Sequence, residues 1–265
     1  GNNGQVEATV SATLIGRNAE QREIETRLRR ATDGVGGMLV VSGEGGIGKT
    51  TLAEHAAVRA RALGFDVGWA ACRHDATAPP LHPWVRLLTQ LADDDCPIPD
   101  LAVEVMDRDA GRVEQSRRVE RWLRARGTRP TLLVFDDVHW ADSGTVALLG
   151  RVAEVLASMP VVILVARRPV DPATADAGFT VAAPVIQHGV IMELAPLDAS
   201  ATHSLLSELT GQLASPEAAQ SVMEITGGNP LFTRELCRSL PVEAFAGPID
   251  PTEVHHVMGG STEVA

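Results

Sequence analysis

An α/β fold is predicted, in which helices cover a five-stranded, mainly parallel sheet and a small helical lid follows at the C-terminal end. Three observations predict it. Five short apolar segments stand out, Met38–Ser42, Val67–Cys72, Thr131–Asp136, Val161–Ala166 and Val190–Leu194. Their near-continuous β-branched and aliphatic character suits parallel strands covered on both faces. Helix-like stretches alternate with them, and after the fifth segment only helical periodicity remains.

Taken in order, Asn18 can cap a first helix running to about Arg30, supported by the i,i+4 pairs Glu23 with Arg27 and Glu25 with Arg29. The helices between strands are expected at Thr50–Ala62, Pro83–Leu91, Arg112–Arg126 and Thr145–Ser158. The lid is expected as Ala199–Leu209 and Pro216–Ile225, then a Gly227-Gly228-Asn229-Pro230 break and Leu231–Leu240. This divides the chain into a flexible segment 1–13, an α/β domain 14–196, a lid 197–240 and a tail or linker 241–265. A start on Gly1 instead of Met and a loose end suggest a piece of a longer protein.

The chain has 265 residues, 45% hydrophobic and 22% charged, which is ordinary globular composition. A formal net charge of −11 argues against the broad basic face that nucleic-acid binding needs. Cys72, Cys96 and Cys237 are an odd number without a CxxC pair, so neither a disulfide framework nor a zinc site is suggested. No apolar run approaches the roughly 20 residues that span a bilayer, and the first residues lack the pattern of a signal peptide. A cytoplasmic location, with no membrane and no direct nucleic-acid contact, is the expectation.

The segment Gly43-Glu44-Gly45-Gly46-Ile47-Gly48-Lys49-Thr50 follows an expected strand and opens an expected helix, the context that the GxxxxGK-S/T pattern requires. Glycines let the backbone N–H groups close around a phosphate, and the helix N-terminus adds a favourable dipole. Lys49 would reach the β- and γ-phosphates of ATP (the β-phosphate of ADP), the Thr50 hydroxyl would ligate Mg²⁺, and Thr51 is expected among the nucleotide-binding residues. The same residues match GxGxxG through Gly43, Gly45 and Gly48, but a dinucleotide site needs an acid at the end of the second strand. That strand ends Ala70-Ala71-Cys72-Arg73. The phosphate-loop reading prevails.

A second acidic signal follows the third strand. Asp136 and Asp137 lie at its carboxyl end, where ligands sit in open α/β sheets. Beside a triphosphate, Asp136 would hold the Mg²⁺ hydration shell and Asp137 would orient the attacking water. Asp137 is one methylene shorter than a glutamate, so slow turnover is expected. His139 follows, and could carry a proton or simply pack in the loop.

These pieces together resemble a P-loop NTPase fold of the RecA/AAA+-like kind. The ordered set resembles the STAND class of signal-transduction ATPases, in particular the ATPase region of large LuxR-type bacterial transcriptional regulators. The matching pieces are Leu14-Ile15-Gly16-Arg17-Asn18-Ala19-Glu20, GEGGIGKT, LLVFDDVHWAD, VILVARRP and Gly228-Asn229-Pro230-Leu231-Phe232. The resemblance implies that Ile15, Gly16 and Arg17 lie against adenine and ribose, that Pro230 approaches the nucleotide from the lid, and that Arg167 or Arg168 senses the γ-phosphate. It also implies sensor and output domains beyond residue 240 and nucleotide-dependent self-association. The function expected is a slow ATP-hydrolysing regulatory switch. A ring-forming AAA+ motor is the alternative, and a small-molecule kinase a weaker one.

Overall fold

The computed structural model describes residues 14–73, 77–101, 108–169 and 188–249. The aliphatic runs become β1 (Gly37–Ser42), β2 (Asp66–Ala71), β3 (Thr131–Asp136), β4 (Val161–Arg167) and β5 (Gly189–Glu193). Their order is β2-β3-β4-β1-β5, and every pair is parallel. The register aligns Ser42 with Arg167 and with Glu193, and Ala71 with Asp136. All five strands therefore point their carboxyl ends to one edge of the sheet.

Burial on both faces holds for the three central strands. Every residue of β1, β3 and β4 is buried, whereas β2 and β5 are only partly so. The expectation of two-sided cover is thus corrected at the edges, where a strand has one neighbour and Val190 and Ile191 remain exposed.

Five helices accompany these strands: α1 (Asn18–Thr32), α2 (Lys49–Ala62), α3 (His82–Leu91), α4 (Arg108–Ala125) and α5 (Ser143–Ala153). In α1 the expected pairs form, Glu25 to Arg29 at 2.8 Å and Glu23 to Arg27 at 3.4 Å. The expected single helix Thr145–Ser158 instead stops at Ala153 and continues as a 3-10 turn, Leu156–Ser158. Pro160 explains where the 3-10 turn ends: the residue before a proline avoids helical geometry, and Met159 is extended at φ −140° and ψ 148°.

On one face of the sheet, Trp84 is fully buried against Phe135, with ring centroids 4.9 Å apart and edges toward faces. Its indole N–H donates to the Thr145 carbonyl at 3.1 Å, so the buried polar atom is satisfied. Asp142 caps α5, accepting from the Thr145 N–H at 2.9 Å and hydroxyl at 2.6 Å, and it also accepts from the Leu81 N–H at 3.3 Å. That last bond ties the start of α3 to the turn after β3.

Three further helices follow, α6 (Ala199–Thr210), α7 (Pro216–Thr226) and α8 (Pro230–Ser239). Each has a polar N-cap, Asp198, Ser215 and Asn229 respectively, accepting from a backbone N–H of its first turn. Their shared core does not end at Leu240. A 3-10 turn, Val242–Ala246, drives Phe245 to full burial among Leu206, Val222 and Leu236. The Phe245 carbonyl also accepts from the Ser215 N–H at 3.0 Å. The remainder of the expected tail, from residue 250, and the expected flexible segment 1–13 lie outside the described residues.

The described chain divides into two compact units. One is formed by Ala19–Glu44 and Lys49–Glu193, the other by Gly45–Gly48 with the described residues before Ala19 and after Glu193. Among the described residues no helix is long and apolar enough to cross a membrane.

Replacing Trp84 by alanine removes both its packing and the hydrogen bond to Thr145. Urea unfolding should report a loss of about 3–5 kcal/mol; a loss below about 1 kcal/mol would mean that the strand–helix core does not depend on this ring.

Candidate functional site

The site residues carried by the sheet unit gather at the carboxyl edge. β1 ends at Ser42, and the Gly43 N–H donates to the Arg167 carbonyl at 3.3 Å, carrying the strand pairing one residue further. The chain then turns through Glu44 and re-enters this unit at Lys49, the first residue of α2. Lys49 is buried, and its ammonium donates to the carbonyls of Gly43 at 2.9 Å and Glu44 at 2.7 Å. Burial lowers its pKa, Asp137 and Asp136 oppose that, and Arg168 adds to it.

Across the sheet edge, the Thr50 hydroxyl donates to Asp136, 3.0 Å from Oδ2 and 3.3 Å from Oδ1. Two hard oxygen donors from residues 86 apart in sequence thus converge. Such a donor set fits Mg²⁺, which takes one or two protein oxygens and keeps several waters. Burial raises the Asp136 pKa; the Thr50 hydrogen bond opposes it, and the neighbouring Asp137 charge adds to it. Thr51 is half-buried at the next position of α2.

Asp137 occupies the left-handed region, φ 54° and ψ 43°. Among the described residues only Leu81 shares this conformation without being glycine. The Asp137 side chain is 46% exposed and lies beside His139, whose Nδ1 is 3.8 Å from Oδ1. Both ring nitrogens of His139 are buried without a hydrogen-bond partner among the described residues. Burial lowers the His139 pKa, Asp137 opposes, and Arg168 and Lys49 add to the depression.

The two candidate arginines part company. Arg167 is buried at the end of β4, and its Nε and Nη1 lack hydrogen-bond partners among the described residues. Burial pulls its pKa down, and Glu193 opposes that. Arg168 is exposed, and its charge acts on both Lys49 and His139.

The remaining site residues belong to the other unit. Ile15 packs with Leu197, Ala201 and Leu205. Gly16 has φ 70°, and a Cβ there would stand 2.7 Å from the Ala201 Cβ, so a side chain is excluded twice over. Arg17 is 5% exposed, and its guanidinium donates to the Ile47 carbonyl at 3.0 Å. Pro230 opens α8 as a first-turn proline. The residue beside it, which composition and spacing did not single out, reaches the loop directly: the Asn229 amide donates to the Gly45 carbonyl at 2.9 Å. The Leu231 N–H donates to the Gly46 carbonyl at 3.3 Å. A bond spanning 184 residues leaves no periodic signal, and only the GNP string marked the position.

The family model described as AAA ATPase domain matches residues 13–165. An uncharacterized protein of Rhizobium meliloti (strain 1021) is 29% identical over 112 residues, 41% of this chain but only 10% of that protein's length. Among solved structures, a point variant of RuvB from Thermotoga maritima matches with a TM-score of 0.56 at 15% identity, covering 93% of this chain and 70% of that one. Orc1 of Aeropyrum pernix, in complex with DNA, matches with a TM-score of 0.55 at 17% identity, covering 94% and 66%. Cdc6p of Pyrobaculum aerophilum matches with a TM-score of 0.57 at 15% identity, covering 90% and 64%. At these identities the structural likeness speaks for the fold.

The strain at Asp137 generates a stability test. An Asp137→Gly variant relieves the left-handed backbone and should raise the unfolding free energy by up to about 1 kcal/mol in thermal denaturation. A lower stability would mean that the carboxylate's contacts outweigh the strain.

Proposed function

Since the chain belongs to the AAA ATPase domain family, we propose that it binds ATP with Mg²⁺ at Gly43–Thr50 and hydrolyses it slowly, as the regulatory switch of a larger signal-transduction or transcriptional regulator. The observation that carries this is the convergence of Thr50 and Asp136 at 3.0 Å, with Lys49 and Asp137 at the same sheet edge. When bound, Mg²⁺ neutralises charge on the phosphates; Thr50 and Asp136 would hold it.

Each remaining residue has a task in this reading. Lys49 can exchange its bonds to the Gly43 and Glu44 carbonyls for phosphate oxygens within the same loop. Asp137, half-exposed and forward of the strand, accepts a hydrogen bond from the attacking water and orients it. Arg168 is the arginine we assign to the γ-phosphate, because its charge already acts on Lys49 and its side chain is exposed, whereas the buried Arg167 answers to Glu193. Ile15 and Pro230 would contribute apolar contacts to the base.

The switch reading is supported by the short acid at Asp137 and by the ordered set of motifs from Leu14 to Phe232. The Rhizobium relative, of which the matched stretch is a tenth, is consistent with such a domain lying inside a much larger protein. A ring-forming motor is the second reading; the likeness to RuvB, Orc1 and Cdc6p speaks for the fold that both readings share. In either case nucleotide-dependent self-association is expected, in the cytoplasm.

Turnover separates the two. The switch predicts a rate well below the enzyme median of about 10 s⁻¹; a rate at or above it moves the weight to the motor. Lys49→Ala should abolish ATP binding in calorimetric titration, and unchanged affinity would refute the loop assignment. Asp137→Asn should keep affinity while slowing hydrolysis by about 10²-fold or more, and a variant hydrolysing at the parent rate would remove Asp137 from water handling.

A further inference from the structure

The carbonyls of three successive loop residues are all held from within one unit: Gly45 by the Asn229 side chain, Gly46 by the Leu231 N–H and Ile47 by the Arg17 guanidinium. A trans peptide is planar and points its C=O and N–H in opposite directions, and no cis peptide occurs among the described residues. The peptides that carry these carbonyls also carry the N–H groups of Gly46, Ile47 and Gly48. Those three donors therefore face away from Asn229, Leu231 and Arg17, and none of them gives a hydrogen bond to a protein acceptor among the described residues.

Asn229 is built for this position. Two consecutive left-handed glycines, Gly227 at φ 59° and Gly228 at φ 69°, end α7 and swing the chain toward the loop. A Cβ on Gly228 would lie 2.3 Å from the Leu197 carbonyl, so the path tolerates no side chain there. Asn229 is then 7% exposed with every polar group committed. Its N–H donates to Thr226 at 3.1 Å, its carbonyl accepts from the Thr233 hydroxyl at 3.0 Å, and its Oδ1 accepts from Leu231 at 3.0 Å, which leaves Nδ2 for Gly45. The approach is close on the loop side as well: a Cβ on Gly46 would meet the Leu231 Cβ at 2.6 Å and Asn229 Oδ1 at 2.9 Å.

We propose that Asn229, assisted by Arg17, is a positioning residue of the phosphate loop, holding the loop carbonyls outward so that three backbone N–H groups present themselves together to a phosphate. The role rests on the nucleotide reading above, and it assigns Arg17 to the loop backbone. It also gives α8 a direct hold on phosphate affinity: whatever displaces α8 releases the Gly45 and Gly46 peptides, and phosphate bound to those amides steadies the start of α8.

Helix capping and loop positioning can be separated at Asn229. Aspartate and serine both cap a helix about as well as asparagine, but aspartate has no N–H to give Gly45, and serine is too short to reach it. Alanine loses both functions. Titration of the whole chain with Mg·ADP should show Asn229→Asp, Asn229→Ser and Asn229→Ala all weakened by roughly tenfold or more, with the melting temperature of the nucleotide-free protein falling clearly only in the alanine variant. The neutral serine excludes charge repulsion as the cause. If the aspartate or the serine variant binds like the parent, Asn229 is only a cap and the proposal falls. If the parent itself does not bind Mg·ADP, the nucleotide reading falls first and the proposal with it.

Discussion

The hydrogen bond from Thr50 to Asp136 joins the start of α2, the helix that follows β1, to the end of β3, although β1 and β3 are not neighbours in the sheet. It can form only because β4 lies between β1 and β3 with all three parallel and in register, so that the loop after β1 and the acids after β3 emerge at the same edge. Full burial of those three strands keeps the edge rigid: a slip of one residue would turn every apolar side chain of β3 to the other face and carry Asp136 with it. The chemistry of the site is therefore a consequence of strand order and register before it is a consequence of the motif.

Around that fixed edge the polar groups are arranged by burial and by strain. Lys49 and Asp136 are both buried and shifted toward neutrality, each partly restored by the other's charge. Asp137 adopts a left-handed backbone and keeps its side chain 46% exposed. Leu81, the other strained residue, is tied through Asp142 to the turn that follows Asp137. Strain of this kind persists where surrounding structure over-determines it, and here it collects at the acids.

The central fold was legible because long aliphatic runs such as Val161–Ala166 and the GEGGIGKT string are local signals, each contained in fewer than ten residues. Helix starts carry local chemistry too, as Asp142, Asp198 and Ser215 show by capping. What escaped was set by distance in sequence. The exposure of Val190 and Ile191 depends on β5 being an edge strand, which strand order decides. Phe245 looked like part of a tail because its partners Leu206, Val222 and Leu236 lie up to 39 residues away. Asn229 was visible only as part of a helix break, since the carbonyl it serves is 184 residues earlier. The proposed choice of Arg168 over Arg167 rests on side-chain burial, which alternation along a short strand end does not determine.

The claim on which everything else rests is that Gly43–Thr50 and Asp136 form one Mg-nucleotide site. Calorimetric titration of the unmodified chain with ATP, with Mg²⁺ and with the metal chelated, tests it most directly. The account predicts saturable binding of one nucleotide per chain that is markedly tighter with Mg²⁺, and tighter by less in a Thr50→Val variant. Absence of binding, or binding indifferent both to Mg²⁺ and to Thr50, would contradict it.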